Sequence, residues 1–306
     1  MEMEISFPVM PTTPPRMGPT KINTIVSNIP LSDARVINLI LLVLGASLNF
    51  LILIVIVSRS CSRTPMNMFI ISLAFSNMVI LIEPLEETIR WFFGVDMKLN
   101  MDYVCMISFD VSVVTIALIK FMQYIRMFQE QVPCAQALLK NFTAMKGIVL
   151  VWSATIISLA IGLHIYDFFE GDMADIYVWN TIMFIAMPVI ISLALDALII
   201  YELFILKSIE GEWRWKEVRH YIMLIIIAIA FLAVRTPYRL ARAINFIEPK
   251  ASCCTAKKRE LLYFIAKTYP TVFSLIYIAL SNEFQEVIQI LKSKCKRSEE
   301  LTVVIV

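Results

Sequence analysis

Seven apolar stretches, each about as long as a bilayer is thick, leave this chain one class of structure. They run over 36–58, 67–90, 102–126, 147–166, 178–206, 219–246 and 260–281. A helix needs about 20 apolar residues to cross the hydrocarbon core. Lipid cannot hydrogen-bond open backbone groups, so runs of this length are expected to be α-helices. The expected fold is all-α: a seven-transmembrane helix bundle. Composition agrees, with 59% of 306 residues hydrophobic and 17% charged, too little charge to coat a soluble domain. The net charge of +2 gives no reason to expect nucleic acid.

Three regions follow: a tail over 1–35, the spans over 36–281, and 282–306 beyond them. Residues 1–30 are polar and Pro-rich with no basic-then-apolar run, so the first span is expected to serve as a signal-anchor. From Ser281 to Lys294, Phe284, Val287, Ile288, Ile290 and Leu291 are interleaved with polar residues. That pattern predicts a short amphipathic surface helix. Basic residues set the orientation. An extracellular N-terminus puts Arg59, Arg63, Arg126, Lys140, Lys146, Lys207, Arg214, Lys216 and Arg219 in the cytoplasm, with the tail cluster Lys292, Lys294, Lys296 and Arg297. The acidic segment 167–177 becomes an outer loop; Lys257, Lys258 and Arg259 run against the rule. The expectation is a multi-pass cell-membrane protein whose standing partner is lipid.

Landmark residues bear a resemblance to one family over about 36–294. Gly45 and Asn49 form a Gly-x-x-x-Asn in the first span, and Ser72-Leu-Ala-Phe-Ser-Asn77 resembles Asn-Leu-Ala-x-x-Asp in the second. Trp91-Phe-Phe-Gly94, Trp152, Pro188, Thr236-Pro237-Tyr238 and Tyr277 follow in order. Together they resemble a rhodopsin-like G-protein-coupled receptor. The resemblance implies a small-molecule ligand in the outer half of the bundle and a heterotrimeric G protein at Gln123, Tyr124, Glu217 and Tyr277. The departures imply atypical coupling. Met122-Gln123-Tyr124 replaces Asp-Arg-Tyr, Asn77 replaces the second-span Asp, Phe273-Ser274 replaces Asn-Pro, and Arg235 replaces the sixth-span Trp. Lys98 takes the place of the bridging cysteine, and 167–177 contains no cysteine.

Charges inside the spans are costly, about 3 kcal/mol each at the bilayer centre, so they mark sites. Arg235, Arg239 and Arg242 are spaced i, i+4, i+7 and share a helix face. Glu83, Glu87, Asp110 and Lys267 lie on other spans. Three readings compete. The first is structural ion pairs, Glu83 or Glu87 with Lys267 and Asp110 with Arg235. The second is an anion pocket built on Arg235, Arg239, Arg242 and Lys267, since guanidinium groups grip carboxylate, sulfate or phosphate in pairs of bonds. The third takes Ala266-Lys267-Thr268 as similar to the opsin Ala-Lys-Ser/Thr, which implies retinal bound to Lys267 as a Schiff base with Glu83, Glu87, Asp110 or Glu170 as counterion.

Two tail features stand apart. Cys295, inside Lys292–Arg297, resembles a lipidated cysteine beside a basic patch. Val304-Ile305-Val306 at a free carboxylate fits strand addition to a PDZ domain. Six irregularly spaced cysteines show no zinc or disulfide pattern. No nucleophile–base pair, phosphate loop or metal cluster is visible, so no enzyme is expected. The functions in competition are a receptor for a small, anionic ligand, an opsin-like photoreceptor or photoisomerase, and a non-signalling membrane protein or organic-anion transporter.

Overall fold

The computed structural model describes residues 31–58, 64–95, 101–129, 131–169, 173–213, 215–247 and 256–290. Among these the helices are α1 (Leu31–Ser58), α2 (Pro65–Ile80), α3 (Ile82–Phe93), α4 (Met101–Phe128), α5 (Pro133–Leu138), α6 (Asn141–Phe169), α7 (Met173–Glu210), α8 (Trp215–Ile247), α9 (Ala256–Ala266), α10 (Tyr269–Leu280) and α11 (282–290), with no strand. Seven spans are long and apolar enough to cross a membrane, so the all-α seven-helix fold is observed. The second span is α2 continued by α3, and the seventh is α9 continued by α10.

Both divided spans break where a proline acts. Pro84 has no N–H for the Ile80 carbonyl, and α2 ends at Ile80 with Leu81 in a turn. Pro270 has none for the Ala266 carbonyl, and the chain turns at Lys267–Thr268. Pro188 in α7 and Pro237 in α8 interrupt nothing. The Thr64 hydroxyl caps α2 by accepting from the Asn67 N–H at 3.3 Å, with Pro65 at the first helical position. Gly94, at φ 67°, closes α3 in the left-handed conformation.

The fourth helix is the central post. In its most apolar window 72% of the residues are buried, against 17% in α6 and in α7, which face outward. A column of rings runs down the bundle beside α4: Phe109, Phe231, Tyr269, Phe273, Tyr277 and Phe284, successive centroids 5.0–6.2 Å apart. Lipid tails are as apolar as leucine, so close packing and hydrogen bonds hold such helices together. Gly45 of α1 illustrates this, since a Cβ there would meet Leu81 Cδ1 at 3.0 Å and Pro270 Cβ at 3.5 Å.

The structure departs from the sequence reading at two places and bears it out at a third. The segment 167–177 is mostly helical, because α6 extends to Phe169 and α7 starts at Met173. The short helix α5, between α4 and α6, was not foreseen. The surface helix exists over 282–290, docked by Phe284 against Tyr277 and by Asn67 Nδ2 donating to Glu283 Oε1 at 3.1 Å. The expectations for 1–30, Lys98, Glu170, Cys295, Lys292–Arg297 and Val304–Val306 fall outside the described residues.

Candidate functional site

The breaks made by Pro84 and Pro270 face each other across the bundle. Each leaves a charged side chain at a bend rather than along a smooth helix. Lys267 Nζ lies 2.5 Å from Glu83 Oε2, both groups largely buried. The ammonium also sits 4.7 Å from the Tyr263 ring centroid. Glu87, one turn along α3 from Glu83, accepts a hydrogen bond from Asn38 Nδ2 of α1. Of the two carboxylates foreseen for Lys267, it is Glu83 that forms the ion pair.

A second layer joins α8 to α4 and α7. Arg239 Nη2 lies 3.2 Å from Asp110 Oδ1, and both residues are 3% exposed. Arg239 Nε donates to Thr181 Oγ1 at 3.1 Å, and Nη2 donates to Asn180 Oδ1. The expected pairing of Asp110 with Arg235 is thereby corrected. Arg235 lies one turn away on α8 and turns toward two serines of α4. Its Nη1 and Nη2 donate to Ser108 Oγ at 3.2 Å, and Nη1 reaches Ser112 Oγ at 3.4 Å. The guanidinium carbon is 5.7 Å from the Phe109 ring centroid and 5.5 Å from that of Phe231. The same serines meet Ser76 of α2: Ser76 Oγ donates to the Ser108 carbonyl at 2.8 Å, and the Ser76 and Ser112 hydroxyls are 2.9 Å apart. Among the described residues no carboxylate stands within ion-pairing distance of Arg235. Among the described residues, Arg239 thus has the carboxylate of Asp110, while Arg235 is buried against hydroxyls and rings. Arg242, the third arginine of the face, is only half-buried.

A third cluster lies deeper along α4, α7 and α8. Lys120 Nζ lies 2.6 Å from Asp196 Oδ2, and the Tyr221 hydroxyl donates to Asp196 Oδ1 at 3.0 Å. Its members were visible as membrane charges, but nothing in their spacing announced the triad.

Of the four residues expected at a G protein, Gln123 and Tyr277 are buried in this conformation and Tyr124 and Glu217 are half-buried. Gln123 is fully buried, with Nε2 2.9 Å from Met127 Sδ. Tyr277 is fully buried between Phe273 and Phe284. Tyr124 packs on Phe128 at 5.5 Å, and Glu217 lies in the first turn of α8, half-buried. Of the landmark residues, Asn49 Nδ2 donates to the carbonyls of Gly45 at 2.7 Å and Pro270 at 3.0 Å, and Trp152 Nε1 donates to Ser72 Oγ at 3.0 Å. Asn77 is fully buried, and both its amide atoms lack a hydrogen-bond partner.

Two spaces adjoin the charged layer. A cavity of about 20 Å³ lies against Arg235, Arg239, Tyr238 and Tyr263, room for about one water. A groove of about 1040 Å³ lies between α4, α6 and α7, almost wholly apolar and with Asn180 in its wall. The helices α6 and α7 meet over only a short stretch, which leaves this groove open to the side. Nothing in the sequence announced it, because it is the gap between three helices. No protein-family model matches the chain, and neither does any curated protein sequence.

Proposed function

We propose that this seven-span membrane protein is a receptor of the rhodopsin-like superfamily, with its N-terminus outside the cell, and that it binds a small anionic ligand at the Arg235–Arg239 layer. The observation that carries this reading is Arg235: its side chain is 2% exposed and, among the described residues, meets serine hydroxyls and rings but no carboxylate within ion-pairing distance. An unbalanced charge in a low-dielectric interior is costly, and an anion bound there removes the cost. Guanidinium groups hold such an anion through directed pairs of hydrogen bonds. The spread of basic residues supports an extracellular N-terminus. Signalling to a heterotrimeric G protein requires the end of the bundle near Gln123 and Tyr277 to open, since both are buried.

The test is ligand-induced stabilisation in lipid nanodiscs with acetate, butyrate, sulfate and phosphate, followed by a G-protein panel in cells. The midpoint of thermal unfolding rises with at least one anion, and Arg239→Gln abolishes the rise. Absence of any anion-dependent shift overturns the reading.

The Lys267–Glu83 pair favours a second reading, an opsin-like protein with retinal on Lys267, because a lysine beside a buried carboxylate is what that chemistry uses. The residues fit, but the 20 Å³ cavity near them is far below the roughly 300–1,000 Å³ of small-molecule pockets. Reconstitution with 11-cis and all-trans retinal decides it: without an absorbance band and a borohydride-trapped adduct at Lys267, this reading fails.

A further inference from the structure

The charged layer has almost no room inside the bundle, yet one of its members reaches the groove outside. Asn180 lines the groove, and its Oδ1 accepts from Arg239, the residue paired with Asp110. Resting on the anion-receptor reading above, we propose that the ligand is a long-chain fatty acid that enters sideways from the bilayer. Its hydrocarbon lies in the groove between α4, α6 and α7, and its carboxylate lies against Asn180 and Arg239.

Four features support this occupant. The groove is long: from Asn180 to Leu198, both in its wall, α7 rises about 27 Å at 1.5 Å per residue. That is most of the roughly 30 Å hydrocarbon core and enough for an extended acyl chain. Its entrance faces lipid, since Trp179 is 66% exposed and Met183 and Ile191 about half so. Its lining suits a flexible chain: Ala117 and Ala194 leave depth, while Met183 and Met187 adapt to what lies against them. Finally, polarity and depth match. Asn180 lies about two turns into α7, five residues after Asp175, the last charge before the apolar run. The Arg239 guanidinium lies directly behind it, bonded to Asn180 Oδ1, with Arg235 one turn along α8. Arg239 is only 3% exposed, so a bare carboxylate fits better than a bulky phosphodiester headgroup.

The test uses the full chain in nanodiscs of saturated phosphatidylcholine, titrated with 9,10-dibromostearic acid. Bromine quenches nearby tryptophan; Met187, in the groove wall about 10 Å along α7 from Asn180, where the bromines of the bound chain lie, is changed to Trp in Trp179→Phe, and the difference between Trp179→Phe with and without Met187→Trp isolates its signal. The expected result is saturable quenching, half-complete at a mole fraction at least tenfold below that for the methyl ester or for dibromostearoyl phosphatidylglycerol. Ala194→Phe, which fills the groove without touching the charges, and Asn180→Leu, which removes the polar end, each raise the half-point tenfold or more. Quenching that grows linearly with bromolipid and is equal for acid and ester means bulk lipid only and overturns the proposal. Tighter quenching by the phospholipid overturns it in favour of a phospholipid site. Stabilisation by butyrate that needs Arg239, without saturable quenching, leaves the anion site standing and removes the groove ligand. If neither appears, both readings fall.

Discussion

Lys267 Nζ stands 2.5 Å from Glu83 Oε2, and each residue belongs to a span that a proline interrupts. Pro84 follows Glu83 directly, and Pro270 lies three residues after Lys267. The ion pair thus ties together the weakest backbone points of the second and seventh spans. Breaking a buried pair strands the surviving charge at a cost of about 3–5 kcal/mol. Lys267→Met and Glu83→Gln alone each lower the thermal midpoint in detergent strongly, and Lys267→Met/Glu83→Met together recover most of the loss. A double variant no better than the singles would show that the two do not act as a pair.

Gly45 packs against both breaks, so side-chain volume there is tightly limited. A single methyl meets the flexible end of Leu81 at 3.0 Å, and Gly45→Ala is expected to be mild. Gly45→Val has no such relief and costs about 1–3 kcal/mol by overpacking. The ranking of unfolding midpoints, wild type then alanine then valine, checks this; an unaltered valine variant contradicts the close approach of α1.

The pairing of Asp110 with Arg239, at the proposed anion site, gives a prediction of opposite signs. Asp110→Asn removes the carboxylate that pairs with Arg239, so the anion-free protein loses stability, while anions that fit the layer bind more tightly. The expected gain is tenfold or more in the concentration of butyrate or sulfate that half-stabilises the protein. Equal anion affinity in wild type and variant would mean that Asp110 and the anion do not share a site.

Two buried asparagines have opposite roles. Asn49 uses its amide to bind two backbone carbonyls, one of them the Pro270 carbonyl beside the seventh-span break, so Asn49→Leu destabilises. Asn77 has no hydrogen-bond partner at either amide atom, so Asn77→Leu raises stability by about 1–3 kcal/mol, the cost of an unsatisfied buried polar group. Matched chemical-denaturation curves separate the two. A loss at Asn77→Leu as large as that at Asn49→Leu contradicts the difference.

The seven spans and the helix that follows them could be read from the amino acids, and so could the arginine face of α8. The helix breaks at Leu81 and Lys267 were foreseeable in kind from Pro84 and Pro270. They were not foreseeable in place, since Pro188 and Pro237 lie in continuous helices. Asp110 was foreseen with Arg235 and is found with Arg239, one helical turn away. A sequence shows which residues share a helix face, but not how far that helix is rotated against its neighbour.

The same division holds for the whole protein. The sequence by itself determined the number of spans, their helical state and the presence of buried charge, because bilayer thickness and backbone hydrogen bonding act on each stretch separately. Only the tertiary structure decided which charges neutralise each other, that Arg235 meets serines and rings rather than a carboxylate, and that Asn180 joins the charged layer to an apolar groove. Those outcomes depend on the rotation and depth of several helices at once, and that is a property of their packing against one another.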